Sequence, residues 1–337
     1  MSHAYRARFA AALSAVALAA MFGGNAIAQE NPYKACEAFG QLPEGRTWGN
    51  VTGVGVDHHG NVWAVDRCGS KGKDPCVHSD VAPIMEFDST GKFVKSFGAG
   101  IFVLPHSLFL DQDDNLWIAD EAALDGKGNI VAKFSPEGKL LLTLGTPGVY
   151  GTGPDAFSEV TDAAVARNGE IFVSDGHQFP PQTNTRIVKY SKDGKFVMAW
   201  GKPGTGPGEF HEIHAIAVDS AGRVLAGDRG NGRIQIFDGD GKYLGEWKQF
   251  GQPRGIFIEP DDTMFVTNQG VTDSGVESSV PRGIRIANAK DGVVTGYIPP
   301  SGPEVDEHGS QLRVATDKLG NLYVADFGAN LRKCVKK

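Results

Sequence analysis

A pattern of four short apolar runs returns six times along this chain, and any fold proposed for it has to honour that return. The fullest copy lies within residues 204–250, where HAIAVD, RVLAGD, RIQIFD and YLGEW are separated by DSAGR, DRGNG and DGDGK. Apolar and polar positions alternate with period two inside each run, and Gly, Asn and Asp cut the runs apart. That combination predicts consecutive antiparallel hairpins, a four-stranded meander. One meander cannot bury both of its faces, so copies must pack against copies.

The first strand (a) recurs as TGVGVD (52–57), HSLFLD (106–111), TDAAVA (161–166), HAIAVD (214–219), RGIFIE (254–259) and LRVATD (312–317). The second (b) recurs as NVWAVDR, NLWIADE, EIFVSDG, RVLAGDR, TMFVTNQ and NLYVADF. The third (c) reads IMEFDSTGK, VAKFSPEGK, IVKYSKDGK and IQIFDGDGK, and less regularly GIRIANAKDG; the fourth (d) ends in KSFG, LTLG or MAWG. The last copy runs out of chain after strand c. YKACEAFG (33–40), ahead of the first copy, ends in the same Phe-Gly and is expected to cross over as the missing strand. The ring then closes and no sheet edge is left open. Closure makes Cys36 and Cys334 neighbours and predicts a disulfide there, with Cys68 and Cys76 pairing inside one loop. Four cysteines allow three connectivities, so spacing alone does not fix this.

Residues 1–28 stand outside the repeat. Arg6 and Arg8 precede an apolar run from Phe9 to Phe22, and Ala-Ile-Ala at 26–28 supplies a small-residue cleavage site. This predicts a secretory signal peptide, a single domain over 29–337, and a periplasmic or extracellular location where disulfides persist. No later stretch is apolar for long enough to span a bilayer. The 45 glycines suit a fold made of tight turns, and the net charge of −7 argues against a nucleic-acid partner. The glycines of GTPGVYGTG and GKPGTGPGEF lie in d–a connections, not before a helix, so they form no phosphate cradle. A monomer is expected.

Meander geometry assigns the working face. The a–b and c–d turns share one face and are short and uniform, while the b–c (67–82, 176–185, 269–281) and d–a (146–160, 299–311) connections share the other and vary in length. Long connections on one end of a rigid scaffold are where binding residues gather. The strand-a starts at that face are Thr52, His106, Thr161, His214, Arg254 and Leu312; the strand-b ends carry Asp66-Arg67, Asp120-Glu121, Asp175-Gly176-His177, Asp228-Arg229, Asn268 and Asp326. Two histidines in equivalent seats, His106 and His214, converge on the axis and are candidate metal ligands, with zinc the default. The strand-b aspartates read as structural, holding the b–c turns through backbone N–H groups. Arg229 and Arg254 are candidate clamps for a substrate carboxylate. His58 and His59 read as exposed turn residues on the opposite face.

The repeat resembles the NHL repeat, and six copies imply an all-β, six-bladed β-propeller. LPHSLFLDQDDNLWIAD, FVSDGHQFPPQTNTRIVKYSKDGKFV and IHAIAVDSAGRVLAGDRGNGRIQIFD further resemble peptidyl-α-hydroxyglycine α-amidating lyase. That resemblance implies a catalytic zinc held by three histidines at strand-a starts, a structural calcium, and cleavage of a hydroxyglycine N–C bond to an amide and glyoxylate. His106 and His214 match two of the zinc ligands, Arg67 matches a catalytic arginine, and His177 stands at the position of a catalytic tyrosine. Leu312 takes the third ligand's place; His308, Gln311 and His177 are the substitutes within reach. The expected function is an exported metal-dependent lyase on a small or peptidyl substrate, with Arg67 on its carboxylate and His177 as acid or base. The alternative is a non-catalytic propeller that binds a peptide, glycan or protein.

Overall fold

The computed structural model describes residues 30–70, 76–177, 184–270, 278–300, 311–328 and 330–337. The leader 1–28, Pro180-Pro181 and His308 lie outside them. Six four-stranded antiparallel sheets stand around an axis, each strand pairing with the next in sequence. Their innermost strands are Val51–Val56, Pro105–Leu110, Val160–Val165, Ile213–Val218, Pro253–Ile258 and Gln311–Thr316, for blades one to six. The second strands are Val62–Asp66, Leu116–Asp120, Ile171–Asp175, Val224–Asp228, Thr263–Asn268 and Leu322–Asp326.

The sixth sheet closes as the sequence predicts. Glu37–Ala38 pairs with Leu331–Cys334 as its outer strand, and Cys36 is disulfide-bonded to Cys334. Cys68 is bonded to Cys76, so no described cysteine is free. The core is six clusters, one at each blade junction. Trp63, Ile84, Phe102 and Phe134 fill the junction of blades one and two, and Trp117, Phe157, Val173 and Tyr190 the next. On the short-turn face, strand-a aspartates lock the a–b turns: Asp57 Oδ1 accepts the N–H of His59 and Asn61, and Asp57 Oδ2 accepts from Trp63 Nε1 at 3.1 Å. Asp111 repeats this with Asn115 and Trp117. No helix among the described residues is long and apolar enough to cross a membrane.

The strand-b aspartates hold the expected connection and a second one as well. Gly69 N–H reaches Asp66, Ala122 N–H reaches Asp120 and Asn231 Nδ2 donates to Asp228 from the b–c turns. The same carboxylates accept from the segment leading into their own strand a. Asp66 takes Gly49 N–H, Asp120 takes Val103 and Leu104 N–H, Asp175 takes Ser158 and Glu159 N–H, and Asp228 takes His211 N–H. Antiparallel pairing puts the end of strand b beside the start of strand a, so these carboxylates anchor the entry to the innermost strand. Burial drives the Asp120 carboxyl up to about 7 even so.

Candidate metal centre

All six innermost strands carry the same irregularity. Their pairing with strand b slips around Thr52, His106, Thr161, His214, Arg254 and Leu312, one residue per blade. A β-bulge leaves that residue out of the ladder and re-aims its side chain. The strand-a starts picked out in the sequence are therefore six equivalent seats around the channel mouth.

A second ring comes from the residues after strand b. Arg67, Glu121, Gly176, Arg229 and Gln269 each donate their backbone N–H to the carbonyl of the segment entering strand a. In blade three the seat holds Gly176, at φ 142°, where an added Cβ would lie 1.9 Å from the Asn184 carbonyl oxygen. Only glycine fits. The chain crosses the seat without a side chain, and the next residue, His177, reaches the axis.

His106, His177 and His214 converge there, each offering one nitrogen, with the three nitrogens all within 4.8 Å of one another. Ring centroids lie 4.7 to 5.2 Å apart. His106 Nδ1 donates to the Thr161 carbonyl at 2.7 Å and His214 Nδ1 to the Arg254 carbonyl at 2.8 Å. That bonding puts the proton on Nδ1 and leaves each Nε2 lone pair aimed into the cluster, as an outer hydrogen bond does for a metal-bound imidazole. His177 is thus the substitute that the structure places beside His106 and His214. Leu312 is buried, with its carbonyl taken by Thr267 Oγ1 and Arg313 Nη1.

Two glutamates and a set of arginines surround the imidazoles. Glu121 Oε1 accepts from Arg67 Nη2 at 3.0 Å, while its Oε2 is buried without a hydrogen-bond partner, 3.4 Å from His106 Nε2 and 3.6 Å from His177 Nδ1. Arg229 grips Glu212 through Nε at 2.9 Å and through Nη2, and Glu212 lies 3.4 Å from His177 Nε2. Arg229 also donates to Gln269 Oε1 at 3.1 Å, which Arg254 Nε meets from the other side at 2.9 Å. Arg67 stacks over Phe327. Burial first, then the nearby guanidiniums and neighbouring imidazoles, holds all three histidines well below the ordinary imidazole range. Neutral imidazoles are the form that ligates metal.

The site residues named from sequence are therefore all at one mouth: His106, His177 and His214 at its centre, Arg67, Arg229 and Arg254 around them. Sequence reasoning placed Glu121 at this face without giving it a part in the site, and it passed over Glu212. It also missed Arg313, whose signal was the wrong residue type in an otherwise apolar strand.

Comparison with known proteins fits this architecture. A family model described as a 6-bladed beta-propeller matches residues 165–249. Human NHL repeat-containing protein 3 is 32% identical over 269 residues, covering 74% of this chain and 71% of that protein. The chain is a member of the NHL-repeat β-propellers. Peptidyl-alpha-hydroxyglycine alpha-amidating lyase 1 of Drosophila melanogaster is 33% identical over 216 residues, 56% of this chain and 38% of that protein. A streptogramin B lyase structure overlays with a TM-score of 0.58 at 15% identity, covering 90% of this chain and 97% of that one, which speaks to fold alone.

Proposed function

We propose that this NHL propeller is an exported metal-dependent lyase, with a divalent transition metal, zinc by default, held by His106, His177 and His214. The carrying observation is the convergence of three imidazole nitrogens within 4.8 Å, two of them fixed in the ligating tautomer. The orphaned Glu121 Oε2 beside two of these rings also fits a cation at the cluster, because a buried carboxylate oxygen needs a partner. When bound, such a metal supplies a Lewis acid that polarises a hydroxyl or carbonyl oxygen.

The chain's own residues define what can sit there. Arg67 and Arg254 line the mouth and favour a carboxylate end on the substrate. Burial, helped by the arginines, keeps the imidazoles neutral. Resemblance to the amidating lyases, together with the carboxylate-favouring mouth, points to a peptidyl-α-hydroxyglycine. In that reaction the bond between amide nitrogen and hydroxylated carbon breaks, the hydroxyl proton ends on nitrogen, and amide and glyoxylate leave. Both disulfides support an oxidising compartment.

The test is metal content of the purified protein beside a His106→Ala/His214→Ala variant, followed by glyoxylate release from an α-hydroxyglycine peptide. Near-stoichiometric transition metal in the wild type, absent from the variant, is expected. A folded wild type that binds no transition metal sinks the metalloenzyme and favours the second reading, a binding platform. That reading draws on Leu312 standing where the resemblance expects a third histidine.

A further inference from the structure

Beneath the histidines, Arg313 sits at the channel axis, only 5% exposed. Its Nη1 donates to the Arg254 carbonyl and, at 3.2 Å, to the Leu312 carbonyl; its Nη2 donates to the His214 carbonyl at 3.0 Å and lies 3.3 Å from Asp162 Oδ2. Three main-chain oxygens from three blades and one carboxylate thus turn toward one cationic group. Asp162 is itself buried and braced: Oδ1 accepts Ala163 N–H at 3.0 Å, and Oδ2 accepts Ile216 N–H at 3.2 Å. Beyond the guanidinium, toward the short-turn face, a cavity of about 120 Å³ is lined by Val54, Leu108, Ile216 and Phe257 as well as by Asp162 and Arg313.

Carbonyl and carboxylate oxygens without thiolate or imidazole are the ligand set of a hard cation such as calcium. A structural calcium is what the lyase resemblance implies for this fold. The oxygens here do not fit one while Arg313 is present, because its guanidinium already fills the space they enclose. The fit of the guanidinium is itself imperfect, since its Nε–H is buried without a partner.

We infer that the channel contains a cation seat built from the Arg254, Leu312 and His214 carbonyls and Asp162, and that Arg313 is its resident cation, replacing a structural calcium. The blades are tied at the axis by a covalently attached charge, so the fold is independent of calcium. The Arg254 carbonyl also receives His214 Nδ1, so the same seat braces one imidazole of the metal centre. The lyase resemblance supplies the expectation of calcium, but the seat itself rests on the oxygens around Arg313 and not on the proposed activity.

The experiment compares thermal unfolding of wild type, Arg313→Ala and Arg313→Lys, each stripped with EDTA and then given calcium or zinc separately. Calcium is expected to leave wild type and Arg313→Lys unmoved. It is expected to raise the Tm of Arg313→Ala by roughly 3 °C or more at millimolar concentration, by binding the vacated oxygens of the folded state. A shift with zinc alone belongs to the histidine cluster and reports on the proposed metal centre, not on this seat. Calcium stabilising the stripped wild type overturns the inference, as does a folded Arg313→Ala that calcium does not touch. If Arg313→Ala cannot be recovered with or without calcium, the wild type and Arg313→Lys decide in the same way.

Discussion

Blades two to four and blades five, six and one build the same mouth from the same backbone, yet they fill it differently. The first set supplies all three imidazoles, His106 and His214 from bulge seats and His177 across the glycine-emptied seat of blade three, together with Glu121, Glu212 and one guanidinium, Arg229. Thr161, in the third blade's own bulge seat, supplies the carbonyl that fixes His106. The second set supplies guanidiniums: Arg254 from a bulge seat, Arg313 just past one, and Arg67 after strand b. Repetition fixes where a side chain can stand; the individual residue decides what stands there. All three imidazoles thus come from one half of the ring, while guanidiniums come from both.

Burial, and after it nearby charges that include Arg229 from blade four, keeps the imidazoles neutral, and acid should expose this first. An ordinary imidazole titrates near 6.5, and all three histidines sit well below that in the folded protein. Below pH ~6.5 the unfolded chain takes up protons that the folded chain refuses, so stability is full above that pH and falls as pH drops through the window beneath it. The loss is about 1.4 kcal/mol per pH unit for each imidazole that stays neutral, up to about 4 kcal/mol over one unit for three. Melting metal-free wild type and His177→Asn from pH 7.5 to 5 checks this. The wild-type curve should fall more steeply; parallel curves would mean that His177 titrates normally.

The blade-three glycine is the next weak point. Gly176→Ala adds a Cβ 1.9 Å from a main-chain oxygen at a φ of 142°, a clash that a flexible side chain cannot relieve. We expect a loss of about 2–3 kcal/mol from backbone strain, and His177 displaced from the cluster. Denaturant melts measure the first. Metal affinity measures the second, and it should weaken at least tenfold even in protein still folded at low temperature. Gly320→Ala, at a left-handed turn whose nearest neighbour is the movable Lys336 side chain, tests positive-φ strain without the backbone clash and away from the site, and should cost less.

What the sequence made legible follows from the same contrast. The ring, its closure by residues 33–40 and the neighbourhood of Cys36 and Cys334 follow from a pattern repeated six times, while the Cys68–Cys76 pairing was read only from their nearness in one loop. The seats were legible too, since an antiparallel meander dictates which strand ends meet at the axis. The third imidazole was narrowed only to a choice among His308, Gln311 and His177, because His177 lies one residue beyond its ring position and reaches the cluster only through the φ of Gly176. Glu121, Glu212 and Arg313 were hidden for a related reason. Their roles depend on partners 17 to 99 residues away, such as Glu212 with Arg229 and Arg313 with the His214 carbonyl. The strand-b aspartates were correctly read as structural and as holding the b–c turn, but their second tie, to the segment entering strand a, was not legible, since spacing alone cannot tell which loop curls back over a carboxylate.

At Arg254 the expected effect is smaller. Arg254 meets Gln269 through Nε and lies among the groups that depress His177. Arg254→Ala should raise KM for a carboxylate-bearing substrate about tenfold, near 1.4 kcal/mol, with little change in kcat. The same change made at the metal half, His177→Asn, should act on kcat instead. If both variants moved only KM, the division of labour between imidazoles and guanidiniums would be wrong.

The smallest effect belongs to the face with the short turns. His58 pairs with Asp114 at 2.8 Å, but its side chain is 64% exposed, and solvent screens such a pair. It sits in the a–b turn of blade one, next to Asp57, whose carboxylate already takes the N–H groups of His59 and Asn61. The turn is therefore fixed by aspartate and not by histidine. His58→Gln should change stability by no more than about 0.5 kcal/mol and leave metal content and turnover as they were. A larger loss in a denaturant melt would mean that the short-turn face carries more than turn geometry. It would also show that an imidazole–carboxylate pair can matter as much in the open as it does at the buried mouth, where His106 and His177 adjoin Glu121.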